Sequence, residues 1–174
     1  IYNSYEIMPK PQVVFKVEGL EGVEDMEFPL TEGEDYELSY ANNINVGTAS
    51  LTVTGTGNFP GTATADFKIV SRSINVSGDD GLAKDMTLED IEDQVYTGRG
   101  VTPDVNLTFH RGQRSEEETD QKLILNRDYT LSYAANVSVG MAQVSITGIG
   151  NFTGKVQTQF RILGPLTLAT VADI

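Results

Sequence analysis

The chain has 174 residues, 39% of them apolar, with 25 acidic and 12 basic side chains and a formal net charge of −13. That length supports one large or two small domains, and the lack of cysteine excludes disulfides and thiolate metal sites, leaving packing to hold the fold. The acidic excess repels phosphate backbones and anionic lipid, which argues against nucleic-acid partners, and no run of 18 apolar residues exists to insert into a bilayer.

The charge is uneven, net −8 over residues 1–70, −5 over 71–94 and zero over 95–174, and reads as a solvated, aggregation-resistant surface. The chain opens at Ile1 with no initiator Met, basic region or apolar leader, and is expected to be a piece of something longer.

In chain order, the first stretch is IYNSYEIMPKPQVVFKV. Pro9 and Pro11 exclude a helix and predict an extended or edge segment, after which Val13, Phe15 and Val17 alternate as a strand. It matches VYTGRGVTPDVNLTFHR at an offset of 94, with Tyr2 on Tyr96, Pro9 on Pro103 and Phe15 on Phe109. Residues 18–34 and 111–127 are the least alike between the two copies and are expected to be hairpin tips with a short strand near Leu30 and Leu123.

The stretch from Asp35 to Ile69 returns from Asp128 to Ile162 with 18 identities in 35 gapless positions. It is an internal repeat, and residues kept in both copies are most economically assigned to the fold both share. Its period is two: Tyr36, Leu38 and Tyr40 share one face of a strand, as do Ala49, Leu51 and Val53, and the second copy repeats both patterns. Phe67 and Ile69, with Phe160 and Ile162, mark a last strand. Between the strands, TGTGNFPG and TGIGNFTG suit positive φ at several positions, and Phe59 and Phe152 inside them are expected to plug the open end of a sandwich.

Residues 71–95 connect the copies. SINVS alternates like a strand, and residues 86–94 read as a short helix or a strand, Thr87 with Asp90 having the spacing of a capping box. Residues 164–174 occupy the same place after the second copy, and are read as the leading strand of a third unit or a strand pairing with the second. The first copy has no such segment ahead of Ile1, so its sheet is expected to have an unfilled edge.

The expected fold is therefore all-β: two tandem small antiparallel sandwich modules of immunoglobulin-like architecture, at residues 1–70 and 71–163, with 164–174 beginning a third. β-grasp-like units are the alternative and would need a helix in 86–94.

Candidate chemistry is sparse. His110 is the one histidine and lies beside Arg111, with no partners evident in the sequence for a triad or a zinc site. Asp35 and Asp128 are kept in both copies, each ahead of a Tyr at a strand start where a carboxylate can accept a backbone N–H. Asp79, Asp80, Asp90 and Asp93 are weak calcium candidates at the junction, none matching a spaced calcium loop. No other metal, no cofactor and no catalytic residue is expected. Asn75, Asn106, Asn136 and Asn151 begin Asn-x-Ser/Thr triplets of a kind common by chance in such compositions. No lysine recurs beside the repeated asparagines, Lys68 aligning with Arg161, so no Lys–Asn crosslink is expected.

The pattern YTG…P…DYxxSYxxN…VGxAxxxxTGxGNFxG…FxI, running from Tyr2 to Ile162, resembles the tandem immunoglobulin-like repeats of large secreted or wall-attached proteins of Gram-positive gut anaerobes. The first copy departs from it at Asn3-Ser4 and at Pro60. The resemblance implies an extracellular or wall-associated setting, partners among neighbouring domains of the same polypeptide, and a semi-rigid spacer with no catalytic residues. An adhesin for a host protein or glycan is the alternative, with Glu24, Asp25, Arg111, Arg114 and Glu117 of the unlike loops as contacts. An accessory module of a polysaccharide-degrading enzyme is the third reading.

Overall fold

The computed structural model describes residues 1–17, 26–76, 85–111 and 120–165. The chain forms two compact units, Ile1–Val70 and Ser71–Ile174. Every regular element among the described residues is a strand.

In the first unit β1 (Val14–Val17) and β2 (Met26–Pro29) form an antiparallel hairpin with Phe15 opposite Phe28. Strands β3 (Tyr36–Ala41), β4 (Gly47–Gly55) and β5 (Gly61–Ile69) make an antiparallel sheet in that order. The alternation read in the sequence decides which side faces in, so that Tyr36, Ala49, Leu51 and Ile69 are buried while Glu37 and Thr54 face water.

The second unit has β6 (Arg72–Ser73), β7 (Met86–Leu88), β8 (Gln94–Val95), β9 (Leu107–His110), β10 (Asp120–Lys122), β11 (Tyr129–Ala134), β12 (Gly140–Gly148), β13 (Phe152–Thr153) and β14 (Lys155–Leu163). Its main sheet has the order β11-β12-β14-β8, a three-stranded sheet the order β10-β9-β7, and β6 pairs with β13. The long ladders are antiparallel, whereas β6 with β13 and β8 with β14 run parallel. Both parallel pairs come from residues 71–95, which lead into the unit and join strands far along the chain. A parallel neighbour needs such a long connection, whereas a tight turn joins antiparallel strands.

Three side-chain hydrogen bonds recur in both copies. Tyr40 and Tyr133 donate their hydroxyls to the carbonyls of Pro9 and Pro103 at 2.7 and 2.6 Å. The carboxylates of Asp35 and Asp128 accept the N–H groups of Thr31 and Ile124 at 2.9 and 2.8 Å, the role read for them in the sequence. The side-chain amides of Asn43 and Asn136 donate to Ile7 and Val101 carbonyls at 3.3 and 2.9 Å. These shared residues tie the Pro-marked entry segment and the tight turn before β3 or β11 to the sheet, which is why they recur. The turn glycines do two things: Gly57 and Gly150 take positive φ, at 59° and 64°, while a Cβ on Gly148 would lie 2.7 Å from the Thr153 nitrogen.

Several expectations are corrected. Residues 86–94 are not helical, β7 being followed by irregular chain up to β8, so the β-grasp alternative loses the helix it requires. Of SINVS, Ser77 falls outside the described residues; among the others only Ser73 lies in a strand, β6, and Ile74 beyond it is buried completely. The strand predicted from Val13, Phe15 and Val17 does not bury its apolar side in the first unit: Phe15 is 45% exposed, while Phe109, its counterpart, is 1% exposed. In the second unit Ile74 and Met86 are buried completely, and Met86 lies opposite Phe109 in the β7–β9 ladder. Of residues 164–174, Gly164 and Pro165 are described and lie outside any strand, and 166–174 fall outside the described residues.

Candidate functional site

The unlike loops were the sequence's candidate for a ligand surface. Glu24, Asp25, Arg114 and Glu117 fall outside the described residues, as do Asp79 and Asp80 of the calcium set. Arg111 is described; it follows β9 and is half-buried.

The bases of both hairpins carry a cross-strand polar pair. Lys16 Nζ lies 2.6 Å from Glu27 Oε1, and at the corresponding place His110 Nδ1 lies 2.8 Å from Asp120 Oδ1. Thr87 Oγ1 of β7 is 2.7 Å from His110 Nε2. The expectation that the one histidine lacks partners is thus wrong: sequence distance concealed them, because Thr87 and Asp120 reach His110 through strand pairing.

Hydroxyl, imidazole and carboxylate in series are the parts of an activated nucleophile. What surrounds them does not serve that chemistry. Thr87 is exposed on the face of a three-stranded sheet, opposite Thr108, and the neighbouring N–H groups are engaged: His110 N–H with the Asp85 carbonyl at 2.7 Å and Glu89 N–H with the Asn106 carbonyl at 3.1 Å. Since the first unit places an ordinary Lys–Glu pair at the same position, His110 and Asp120 read as a cross-strand polar pair in which histidine takes the place of lysine.

Two clefts of the second unit share Thr102 and Asp104 in their walls. One of 490 Å³ is bordered by Glu89, Asp90, Glu92 and Asp104. Glu89 is held by the Asn106 side-chain amide at 2.8 Å, and Asp93 by Arg161 at 2.5 Å, a contact that raises the arginine's pKa. Among the described residues no three acidic, histidine or cysteine side chains converge as metal ligands, so Asp90 and Asp93 are not brought together for calcium.

The other cleft, of 560 Å³, is lined by Thr102, Asp104, Leu131 and Tyr133. Tyr133 offers little platform there, because its hydroxyl is spent on Pro103 and its ring lies edge-on to Phe160 at 6.4 Å. Burial, reinforced by the nearby Asp104 charge, pushes the phenols of Tyr129 and Tyr133 above their ordinary pKa.

The sequence reading missed an exposed apolar turn in each unit. Val46 and Val139 are identical in the repeat and were assigned to the fold, yet they are 38% and 56% exposed, Val46 with exposed Ile44 near it in the chain of the first unit and Val139 with Val137 and Met141 in the second. They sit at the hairpins joining β3 to β4 and β11 to β12. The available signal was apolar residues inside an Asn- and Gly-bearing turn, where no strand face exists to bury them.

No family model, curated protein or solved structure matches the chain.

Proposed function

We propose that the chain is a pair of immunoglobulin-like modules serving as a non-catalytic spacer of an extracellular bacterial surface protein, its partners being neighbouring domains of the same polypeptide. One observation carries the reading: three polar residues common to both copies make the same internal hydrogen bonds in each, Tyr40 and Tyr133 donating to entry-segment carbonyls, Asn43 and Asn136 doing the same, and Asp35 and Asp128 accepting N–H groups of the turn. Residues selected twice for architecture suit a module whose task is to hold a shape. The acidic surface keeps such a module soluble without ordering it on a ligand.

A second reading, an adhesin for a host protein or glycan, is favoured by the exposed apolar turn residues Val137, Val139 and Met141. A glycan array together with a pull-down from host extracellular proteins separates the two. The spacer reading expects no saturable binding. Saturable binding abolished by exchanging residues 111–121 would replace it with the adhesin, and hydrolysis of any glycan by the purified chain would end both.

A further inference from the structure

The leading segment of the second unit runs in the same sense as that unit's last two strands. Arg72 and Ser73 of β6 lie beside Phe152 and Thr153 of β13, and Gln94 and Val95 of β8 lie beside Ile162 and Leu163 of β14, both pairs parallel. Gly154 alone separates β13 from β14, so the segment starts where β13 starts and finishes where β14 finishes. Between those points lies β14, nine residues long, or roughly 30 Å of extended chain. Ser71, at the head of the unit, therefore sits at one end of β14, and Gly164 follows the other end.

Tension between residues 70 and 164 pulls the segment one way and β14 the other, along the strands. The bonds that resist it run from strand to strand: the N–H groups of Arg72 and Ile74 donate to the carbonyls of Asn151 and Thr153 at 3.0 and 2.9 Å, and the Tyr96 N–H donates to the Leu163 carbonyl at 2.9 Å. Loaded in this direction, the bonds of a pair share the strain, whereas a pull on adjacent strand ends opens a ladder one bond at a time. Side chains hold the same seam. Arg161 of β14 donates to Asp93 at 2.5 Å just ahead of β8, and Arg72 pairs with Asp85 and covers the Phe109 ring at 5.0 Å from its centroid. Ile74 and Met86 are buried completely, so sliding the segment along its neighbours would bring both into water.

We propose that the second unit is a tension-bearing clamp, in which a load entering at residue 70 and leaving at residue 164 is carried in shear by the β6–β13 and β8–β14 pairs before the main sheet parts. This goes beyond the spacer reading, which asks only that a shape be held. Failure of the pulling test leaves that reading untouched, and the binding assays that test the reading leave the clamp untouched.

The test is a lifetime under load, since forced unfolding follows the unfolding rate and not the equilibrium stability. The 174-residue chain has no cysteine, so introduced thiols are unique attachment points. One variant carries Val70→Cys and Gly164→Cys, the other Thr97→Cys and Gly164→Cys, and all three positions are exposed. The first unit lies outside both spans and stays unloaded. In the second variant the pull enters just past β8, beside the end of β14, and opens the ladder from that end. Each lifetime at a common constant force is divided by the same variant's lifetime without load, which removes any effect of the cysteines on stability. The ratio for the 70–164 pull is expected to exceed that for the 97–164 pull by at least about tenfold, the factor for breaking two ordinary backbone hydrogen bonds together and not in turn. Equal ratios, or a larger one for the 97–164 pull, overturn the proposal. An early step that frees residues 70–96 alone, at the force that opens the second variant, overturns it too, because the segment would then peel away without carrying load.

Discussion

The rings of Phe109 and Phe152 meet edge to face, with centroids 5.8 Å apart and planes at 79°. One lies in β9 and the other in β13, the short strand after the glycine turn that follows β12, so the contact ties the β9 hairpin to the end of the main sheet. Their counterparts Phe15 and Phe59 meet at 5.5 Å, yet Phe15 remains largely in water. The same pair of side chains thus closes a core in one unit and lies at an open mouth in the other.

That contrast predicts unequal mutational costs. Phe152→Ala removes a ring that is 2% exposed and should cost about 3–5 kcal/mol, whereas Phe59→Ala, at a half-buried site, should cost about half as much. Urea unfolding of both variants, with each unit's loss of structure followed by hydrogen exchange, checks the order; equal costs would contradict it.

Gly148→Ala should destabilise by about 1–3 kcal/mol, because the added Cβ would lie 2.7 Å from a backbone nitrogen and 2.9 Å from a backbone oxygen of Thr153, neither free to swing aside. Gly164→Ala, where nothing lies within 4 Å, should change stability by no more than about 0.5 kcal/mol. Thermal unfolding of the two variants is the measurement.

Asp128→Ala should cost about 1–3 kcal/mol, since it leaves the Ile124 N–H without its carboxylate at a buried site. Asp35→Ala makes the same deletion at a half-buried carboxylate, where water can replace the acceptor more readily than at buried Asp128, so the smaller loss belongs to the first unit. Denaturant midpoints decide it.

Stability should fall at alkaline pH. The phenols of Tyr129 and Tyr133 donate to the Val105 and Pro103 carbonyls, and burial holds both above the ordinary value of 10.0. A raised native pKa means that folding favours the protonated form. This contribution is complete below the unfolded value near 10 and disappears as pH climbs through the native values. Denaturation midpoints taken between pH 8 and 11.5 should drop above about pH 10, and Tyr133→Phe should flatten the drop.

Replacing His110 by Lys and Asp120 by Glu together should leave stability within about 0.5 kcal/mol of the parent, because this recreates the Lys16–Glu27 pair of the first unit. A loss of several kcal/mol would show that the Thr87–His110–Asp120 series does more than join strands.

The alternation of Tyr36, Leu38 and Tyr40, the glycines of the TGxGNF turns and the carboxylate of Asp35 were readable because each acts within a few residues along the chain, and the 93-residue repeat doubled every such signal. The partners of His110 were not readable, since Thr87 lies 23 residues away and Asp120 across a hairpin. Nor did identity in the repeat distinguish Ala49, which is buried, from Val46, which is exposed. By itself the sequence determined the strand periods, the turns and the duplication, all products of local backbone geometry. Tertiary structure alone decided that residues 71–95 would join two distant strand edges in parallel and bury Phe109, because burial depends on which remote segment arrives to exclude water.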